Sequence, residues 1–285
     1  MKDVMIIGRG PAGISAALYT ARAGLSTTIV GKDGGALEKA TVIDNYFGLP
    51  GVAGTELAQR GLEQAKALGA EALEDEVLGI DWDGAFTLTC KGGSHRAKAV
   101  IIATGSKRAT AKLPGLQELE GRGVSYCAVC DAFFYRGKTV GVLGSGEYAA
   151  HEIGHLLPLA GKALLFTNGE EPSAPFPEEV EILRQPLKAV LGNEAVEGVL
   201  LEDGSQVPLD GLFIALGSAG GSDLARKIGA ATDGRFIEVN RKMATTVPGL
   251  FAAGDCTGGL LQISKAVGEG AQAAMSAIRF VRGEA

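Results

Sequence analysis

The sequence predicts an α/β fold of two three-layer domains, the second inserted into the first. Three observations predict it. A strand, a glycine turn, a helix and a second strand open the chain; the same grammar returns at Gly144; and the last strand and helix find no partners unless they run back to the first unit. The 285 residues exceed the roughly 100–200 of one domain, and a hydrophobic fraction of 46% supplies core for two.

In order, residues 4–7 form an apolar strand, 8–13 a glycine-rich turn, the apolar stretch through Ala23 a helix, and 27–30 a second strand. Residues 55–68 have helical periodicity. Residues 78–82, 86–89 and 97–102 alternate or run apolar as strands do, which extends the first sheet. Pro114 and Gly115 break the pattern. The second unit then reads strand 139–143, turn 144–146, helix 147–159 and strand 163–166. Gly217-Ser218-Ala219-Gly220-Gly221 breaks it again, and both breaks are expected to be hinges. Strands at 236–239 and 250–253, a Gly-Asp turn and a helix over 262–281 complete the chain. The implied domains are 1–112 with 222–285, and 113–221. No short tandem repeat or low-complexity segment occurs.

A net charge of -6 without a Lys/Arg cluster argues against a nucleic-acid partner. No apolar run approaches the about 18 residues that span a bilayer, so no membrane role is expected. The N-terminal strand runs straight into its glycine turn without the basic and apolar regions of a signal peptide, which predicts a cytoplasmic chain. Four cysteines are too few for a secreted disulfide framework.

Two motifs carry chemistry. Gly8-Arg9-Gly10-Pro11-Ala12-Gly13 follows a strand and opens a helix, so its backbone can approach a pyrophosphate seated on the helix N-terminus; the unit is Rossmann-like. The usual ribose-binding acid is not well placed after the second strand, where Asp33 is a poor candidate for it. Cys127-Ala128-Val129-Cys130-Asp131 is a CxxC followed by an acid. Thiols at that spacing can close a small disulfide, and either can be activated as thiolate. Half of a zinc site and two buried structural thiols are the alternatives. Zinc would need a second ligand pair, whereas Cys90 and Cys256 stand alone and His95, His151 and His155 make no matching motif, so no metal is expected. Asp131 is then a candidate general acid for a leaving thiolate, or else a turn or cap residue.

The run from Cys127 through Asp131, Phe133 and Tyr135 to Gly137 resembles the active-site segment of bacterial-type, low-molecular-weight thioredoxin reductases, over nearly the whole chain. Gly34-Gly35-Ala36-Leu37 and Asn45-Tyr46-Phe47-Gly48 are similar to that family's flavin-contacting turns; Ala103-Thr104-Gly105 to its first-domain exit strand; and Gly254-Asp255 to the pair that holds the FAD ribityl and phosphate. The resemblance implies FAD as cofactor, a homodimer, and a thioredoxin-like protein as partner. It assigns Gly8, Gly10, Pro11, Ala12, Gly13, Gly35, Ala36, Leu37, Asn45, Ala103, Thr104, Gly105, Gly254, Asp255, Gln262 and Ile263 to the cofactor. It also makes Cys130 the sulfur that faces the flavin and Cys127 the one that attacks the partner's disulfide.

Two departures stand out. The second turn, Gly144-Ser145-Gly146-Glu147-Tyr148-Ala149, fits a nicotinamide-nucleotide fingerprint. The basic cluster that grips the 2′-phosphate in the family is replaced by Thr167-Asn168-Gly169-Glu170-Glu171-Pro172-Ser173. A phosphate dianion beside two carboxylates and no guanidinium is disfavoured, so NADPH is a doubtful donor. NADH stays open, with Glu170 about where a ribose-binding acid would fall; an acidic surface loop is the other reading. Near the C-terminus, Leu261-Gln262 replaces the family's Arg-Gln pair. This combination resembles thioredoxin-reductase-like flavoenzymes that do without pyridine nucleotides, some of which take electrons from ferredoxin. The leading expectation is reduction of a thioredoxin-like disulfide. Its alternatives are a dithiol oxidase that passes electrons to O₂ and a non-catalytic flavin redox sensor.

Overall fold

A computed structural model of the chain describes residues 1–106, 111–217, 219–234 and 236–284. It packs as two compact units, Met1–Arg108 with Gly220–Ala285, and Ala109–Ala219. The elements of the first unit begin with β1 (Lys2–Ile7), α1 (Pro11–Arg22), β2 (Thr27–Gly31), α2 (Gly54–Ala67), β3 (Glu71–Glu74), β4 (Val77–Trp82), β5 (Phe86–Cys90) and β6 (Gly93–Ile102). The second unit holds β7 (Val124–Ser125), α3 (Ala128–Asp131), β8 (Thr139–Leu143), α4 (Glu147–Leu156), β9 (Lys162–Phe166), β10 (Glu181–Leu183), β11 (Leu187–Leu191), β12 (Gly198–Leu201), β13 (Gln206–Pro208) and β14 (Gly211–Ile214). The chain then returns with α5 (Gly221–Lys227), β15 (Thr232–Asp233), β16 (Phe236–Ile237), β17 (Leu250–Ala252) and α6 (Ile263–Arg282).

The first unit is built on a sheet of order β3-β2-β1-β6-β5-β4, with β17 also paired to β6. The ten-residue β6 serves two neighbours on one side. Its first half pairs antiparallel with β5, from Phe86 opposite Ala97 to Cys90 opposite Gly93, and its second half pairs parallel with β17 at Val100–Ile102. The chain's tail therefore completes the sheet that its head began. α6 packs on α1 through small residues: Ala16, Ala17, Ala273, Ala274 and Ala277 are fully buried, and a Cβ on Gly270 would stand 2.1 Å from the Ala12 carbonyl oxygen. Close helix approach of this kind needs alanine and glycine at the seam.

In the second unit, β10-β9-β8-β14-β7 is a parallel sheet over a core that includes Leu143, Leu164, Phe166, Leu212 and Ile214. An antiparallel sheet, β11-β12-β13, packs into the same cluster. The fold class is thus α/β with two Rossmann-like units, the first on a mixed sheet whose β3-β2-β1-β6 core is parallel and the second on a parallel sheet, the second unit interrupting the first in sequence.

Several boundaries differ from the sequence reading. Pro114-Gly115 is not a hinge: the Pro114 carbonyl accepts from Val190 N at 2.9 Å, and a Cβ on Gly115 would lie 2.2 Å from the Val190 oxygen, so both pack within the second unit. Residues 107–110 and Ser218, on which the expected first-domain end and second hinge partly fall, lie outside the described residues. α4 stops at Leu156 rather than 159, because Pro158 has no amide to donate and disfavours helix before it. The strand expected over 236–239 shrinks to Phe236–Ile237. Among the described residues, no helix is long and apolar enough to cross a membrane.

Candidate active site

The first glycine turn is shaped by three different needs. Gly8 has φ +115°, and a Cβ there would sit 2.2 Å from the Ala103 oxygen; Gly13 lies against the Gly8 carbonyl, where a Cβ would come within 1.9 Å. These two glycines let turn, exit strand and helix touch. At Gly10, by contrast, the nearest atom to an added Cβ is the Gly34 oxygen at 3.6 Å, so the backbone is left open for a ligand. Pro11 occupies the first turn of α1, where its missing N–H costs nothing.

The other residues assigned to the cofactor gather around this turn. Ala103 N donates to the Ile7 oxygen at 2.7 Å, and a Cβ on Gly254 would stand 2.8 Å from Ala12 Cβ. Gly35, Ala36 and Leu37 form a 3₁₀ turn that Asp33 braces by accepting from Gly35 N at 2.8 Å, so Asp33 caps this turn. Leu37 packs in a cluster with Ile43, Val52 and Ile263. Asn45 Nδ2 donates to Gln262 Oε1 at 3.0 Å, which ties the loop to the start of α6. Thr104 and Gly105 are half-buried; a Cβ on Gly221 would come 2.4 Å from Thr104 Oγ1.

The Gly254-Asp255 turn is caged by a lysine the sequence reading passed over. Lys265 Nζ donates to the Gly254 oxygen at 2.8 Å, to Thr257 Oγ1 at 3.0 Å and to the Gly258 oxygen at 2.6 Å, and it pairs with Glu269 at 3.0 Å. Glu269 Oε2 in turn accepts from Gly254 N at 2.9 Å. Residues 265 and 269 are one helical turn apart, which is the signal that would have flagged them. Burial raises the Asp255 carboxyl above its ordinary range, with Lys265 pulling it back and Glu269 adding to the rise. Two features of the turn region fit FAD: the open face at Gly10, and the Nε of Arg9, which is buried without an acceptor while its Nη1 reaches the Gly31 oxygen at 3.1 Å. An unmet donor beside a phosphate-type turn suits a polar, anionic ligand.

In the second unit, Cys127 and Cys130 form a disulfide with Cα atoms 5.3 Å apart. Cys127 is 3% exposed, and Cys130 is exposed. Cys127 caps the single turn α3, and its Sγ accepts from Cys130 N at 3.2 Å. Ser125 Oγ lies 3.1 Å from Cys127 N, from which it accepts, and donates to Asp131 Oδ2 at 2.6 Å, so one hydroxyl joins the acid to the cysteine backbone. Behind the pair, Ala128 N donates to buried Glu152 at 2.7 Å, and the Tyr148 hydroxyl donates to the Tyr126 oxygen at 3.3 Å. Sequence reasoning missed Ser125, Tyr148 and Glu152, since nothing in their spacing marks them. Val129, Phe133 and Phe134 are exposed around the disulfide.

The second glycine turn is crossed by the Thr167–Ser173 segment. Ser145 Oγ donates to Glu170 Oε2 at 2.5 Å, and Ser173 N donates to the Ser145 oxygen at 2.8 Å. A Cβ on Gly146 would meet Ser173 Oγ at 3.4 Å. Asn168, at φ 54°, accepts from Leu187 N at 2.9 Å and Gly169 N donates to the Arg184 oxygen at 2.8 Å, so backbone bonds fix this loop.

The remaining cysteines are buried thiols. Cys256 Sγ donates to main-chain oxygens of Ala253 and Ile102, and burial pushes the thiol up to about 12. Burial, with Asp75 nearby, raises Cys90 to about 11. Cys90 does not stand alone: donor atoms of Asp75, Cys90 and His95 lie within 4.8 Å of one another, although both Asp75 oxygens already accept backbone amides from Glu76 and Gly92.

A model of the pyridine nucleotide-disulphide oxidoreductase family matches residues 2–270. The thioredoxin reductase of Aquifex aeolicus (strain VF5) is 37% identical, over 99% of this chain and 94% of its own length, and that of Bacillus subtilis (strain 168) is 36% identical, over 98% and 94%. The crystal structure of the atypical thioredoxin reductase from Desulfovibrio vulgaris Hildenborough has a TM-score of 0.93 at 41% identity, covering 100% of this chain and 99% of its own. A ferredoxin-flavin thioredoxin reductase from Clostridium acetobutylicum has a TM-score of 0.72 at 34% identity, covering 99% and 98%. The chain belongs to the pyridine nucleotide-disulphide oxidoreductase family and is an oxidoreductase of thioredoxin reductase type.

Proposed function

We propose that the chain is an FAD-dependent disulfide reductase that passes electrons through Cys127–Cys130 to a thioredoxin-like protein, and that its donor is not NADPH. The observation that carries the donor reading is the Thr167–Ser173 segment bonded across the second glycine turn: where a pyrophosphate and a 2′-phosphate would need donors, the chain presents Glu170, the segment itself holds no Lys or Arg, and the neighbouring Arg184 guanidinium is taken up by Glu171 at 3.3 Å. NADH meets the same carboxylate. The ferredoxin-flavin relative supports a one-electron protein donor such as ferredoxin. The family resemblance carries a homodimer and a cytoplasmic setting as parts of this reading. The dithiol-oxidase and sensor alternatives draw no support from relatives that are named thioredoxin reductases.

FAD, when bound, supplies the two electrons that open the disulfide. Gly8–Gly13 would hold its pyrophosphate, and Gly35, Asn45, Thr104, Asp255 and Gln262 would line its remaining length. Once the pair is reduced, the Cys130 N–H directed at Cys127 Sγ favours thiolate there. That thiolate attacks one sulfur of the partner's disulfide. The partner S–S bond breaks, a mixed disulfide forms, and the departing partner thiolate takes a proton, for which Asp131 is the adjacent acid. Cys130 then attacks Cys127 Sγ, releases the second partner thiol and restores the Cys127–Cys130 bond. Because Cys127 is 3% exposed, the residues over it must shift before a protein disulfide can reach it. Exposed Val129, Phe133 and Phe134 offer that partner an apolar face.

Anaerobic mixing of the oxidised holoenzyme with NADPH, NADH and reduced ferredoxin in turn, with flavin absorbance as readout, tests the donor. Rapid bleaching by NADPH would overturn this part of the proposal. Unchanged thioredoxin reduction after replacing both cysteines by Ser would overturn the rest.

A further inference from the structure

We propose that Glu152, with Tyr148 one turn earlier on α4, is a positioning residue for the nucleophilic sulfur of Cys127: by holding the Ala128 N–H it keeps the Cys130 N–H aimed at Cys127 Sγ. The inference rests on Cys127–Cys130 being the working pair. α3 is a single turn of four residues, and one turn does not persist by itself, because nucleation orders several residues for one hydrogen bond. Its first amides also lack intrahelical acceptors. Three of them have acceptors in the structure. Cys130 N donates to Cys127 Sγ at 3.2 Å and Asp131 N to the Cys127 oxygen at 3.2 Å, both within the segment. Ala128 N donates at 2.7 Å to Glu152, and of the three this bond alone ties the turn to another element.

Glu152 is 1% exposed and Tyr148 is 2% exposed. They stand at i and i+4 of one helix, so they face the same way. Together they grip the main chain on both sides of Cys127: the carbonyl of Tyr126 before it and the amide of Ala128 after it. α4 is a firm base for this grip, since Ile153 and Leu156 beside them are fully buried. Packing alone does not ask for a carboxylate at a site where an apolar side chain would avoid the desolvation cost. The backbone donor at Ala128 supplies the reason for an oxygen there. Without it the turn loosens, the Cys130 N–H leaves the sulfur, and the thiolate loses a hydrogen bond that favours it.

The test uses the full-length holoenzyme in a Cys130→Ser background, reduced, with the rate of Cys127 alkylation by iodoacetamide measured at neutral pH by mass spectrometry of the peptide that carries it, which separates it from the other two buried thiols, Cys90 and Cys256. Glu152→Ala is expected to slow alkylation about tenfold, as the thiolate fraction at Cys127 falls. Glu152→Gln keeps a side-chain carbonyl that accepts the same bond and should return the rate to within about twofold of the parent, while Tyr148→Phe should fall between. A Glu152→Ala rate equal to the parent's, or a Gln variant as slow as the Ala variant, overturns the inference. If the Ala variant does not fold, the same decision rests on Tyr148→Phe: slower than the parent supports the clamp, and equal to it overturns it. A parent enzyme whose Cys127 shows no enhanced reactivity counts instead against the redox reading.

Discussion

Ser145 Oγ donates to Glu170 Oε2 at 2.5 Å, so a carboxylate closes over the glycine turn on which a dinucleotide pyrophosphate would rest. Removing that carboxylate should weaken the exclusion. Glu170→Ala is expected to bind NADH at least about tenfold more tightly than the parent, about 1.4 kcal/mol, by calorimetry on the oxidised holoenzyme. NADPH should still bind poorly, because no guanidinium is gained. Micromolar NADPH affinity in the unaltered enzyme would sink the idea.

The three glycines of the first turn should separate folding from cofactor binding. Gly8→Ala and Gly13→Ala drive a methyl group into the Ala103 and Gly8 carbonyls and should cost about 1–3 kcal/mol or more of stability. Gly10→Ala has room for its methyl on the protein side, so the chain should fold with nearly unchanged thermal stability and lose bound flavin. Melting temperature and flavin absorbance of the purified variants decide. A Gly10→Ala protein that keeps full flavin would show that the open face is not a cofactor face.

Lys265→Met removes four partners at the Gly254-Asp255 turn and leaves Glu269 without its cation. The expected loss is about 2–3 kcal/mol by denaturant titration. Asp255 should also protonate at higher pH, because the group that opposes the burial effect is gone. The double variant Lys265→Met, Glu269→Leu should recover part of the stability, and its failure to do so would count against the stranded-carboxylate explanation.

Alkaline pH should destabilise the fold through Cys90 and Cys256. Both thiols stay neutral in the native chain up to about 11 and about 12, whereas in the unfolded chain they ionise near the ordinary 9.0. The stability tied to keeping them neutral is fully present below about 9 and falls away as pH rises through the folded values. Denaturant midpoints followed from pH 8 to 11 should decline less steeply in Cys256→Ala. A slope identical to the parent's would show that another group governs the alkaline limb.

Much of the fold was legible because it is written in local periodicity. The strand before Gly8 and the helix after Pro11 follow from apolar spacing, and the return of the C-terminal strand follows from its lack of any nearer partner. The β10–β13 strands left no such mark: they are short, and their burial depends on Leu116, Val190 and Val199 meeting from distant positions. The Pro114-Gly115 break misled for the same reason, since a turn inside a packed domain and a hinge between domains share one local chemistry.

The site divides in the same way. The sequence by itself determined the glycine turn, the CxxC-Asp segment and a Thr167–Ser173 run without Lys or Arg, because each is a run of neighbouring residues whose chemistry needs no further context. Only the tertiary structure decided that Lys265 and Glu269 cage the Gly254 turn, that Glu170 lies on Ser145, and that Glu152 and Tyr148 hold the backbone around Cys127. Hydrogen bonds act within about 3 Å, and which residues come that close across 25 positions of chain, as for Ser145 and Glu170, is settled by packing rather than by local pattern.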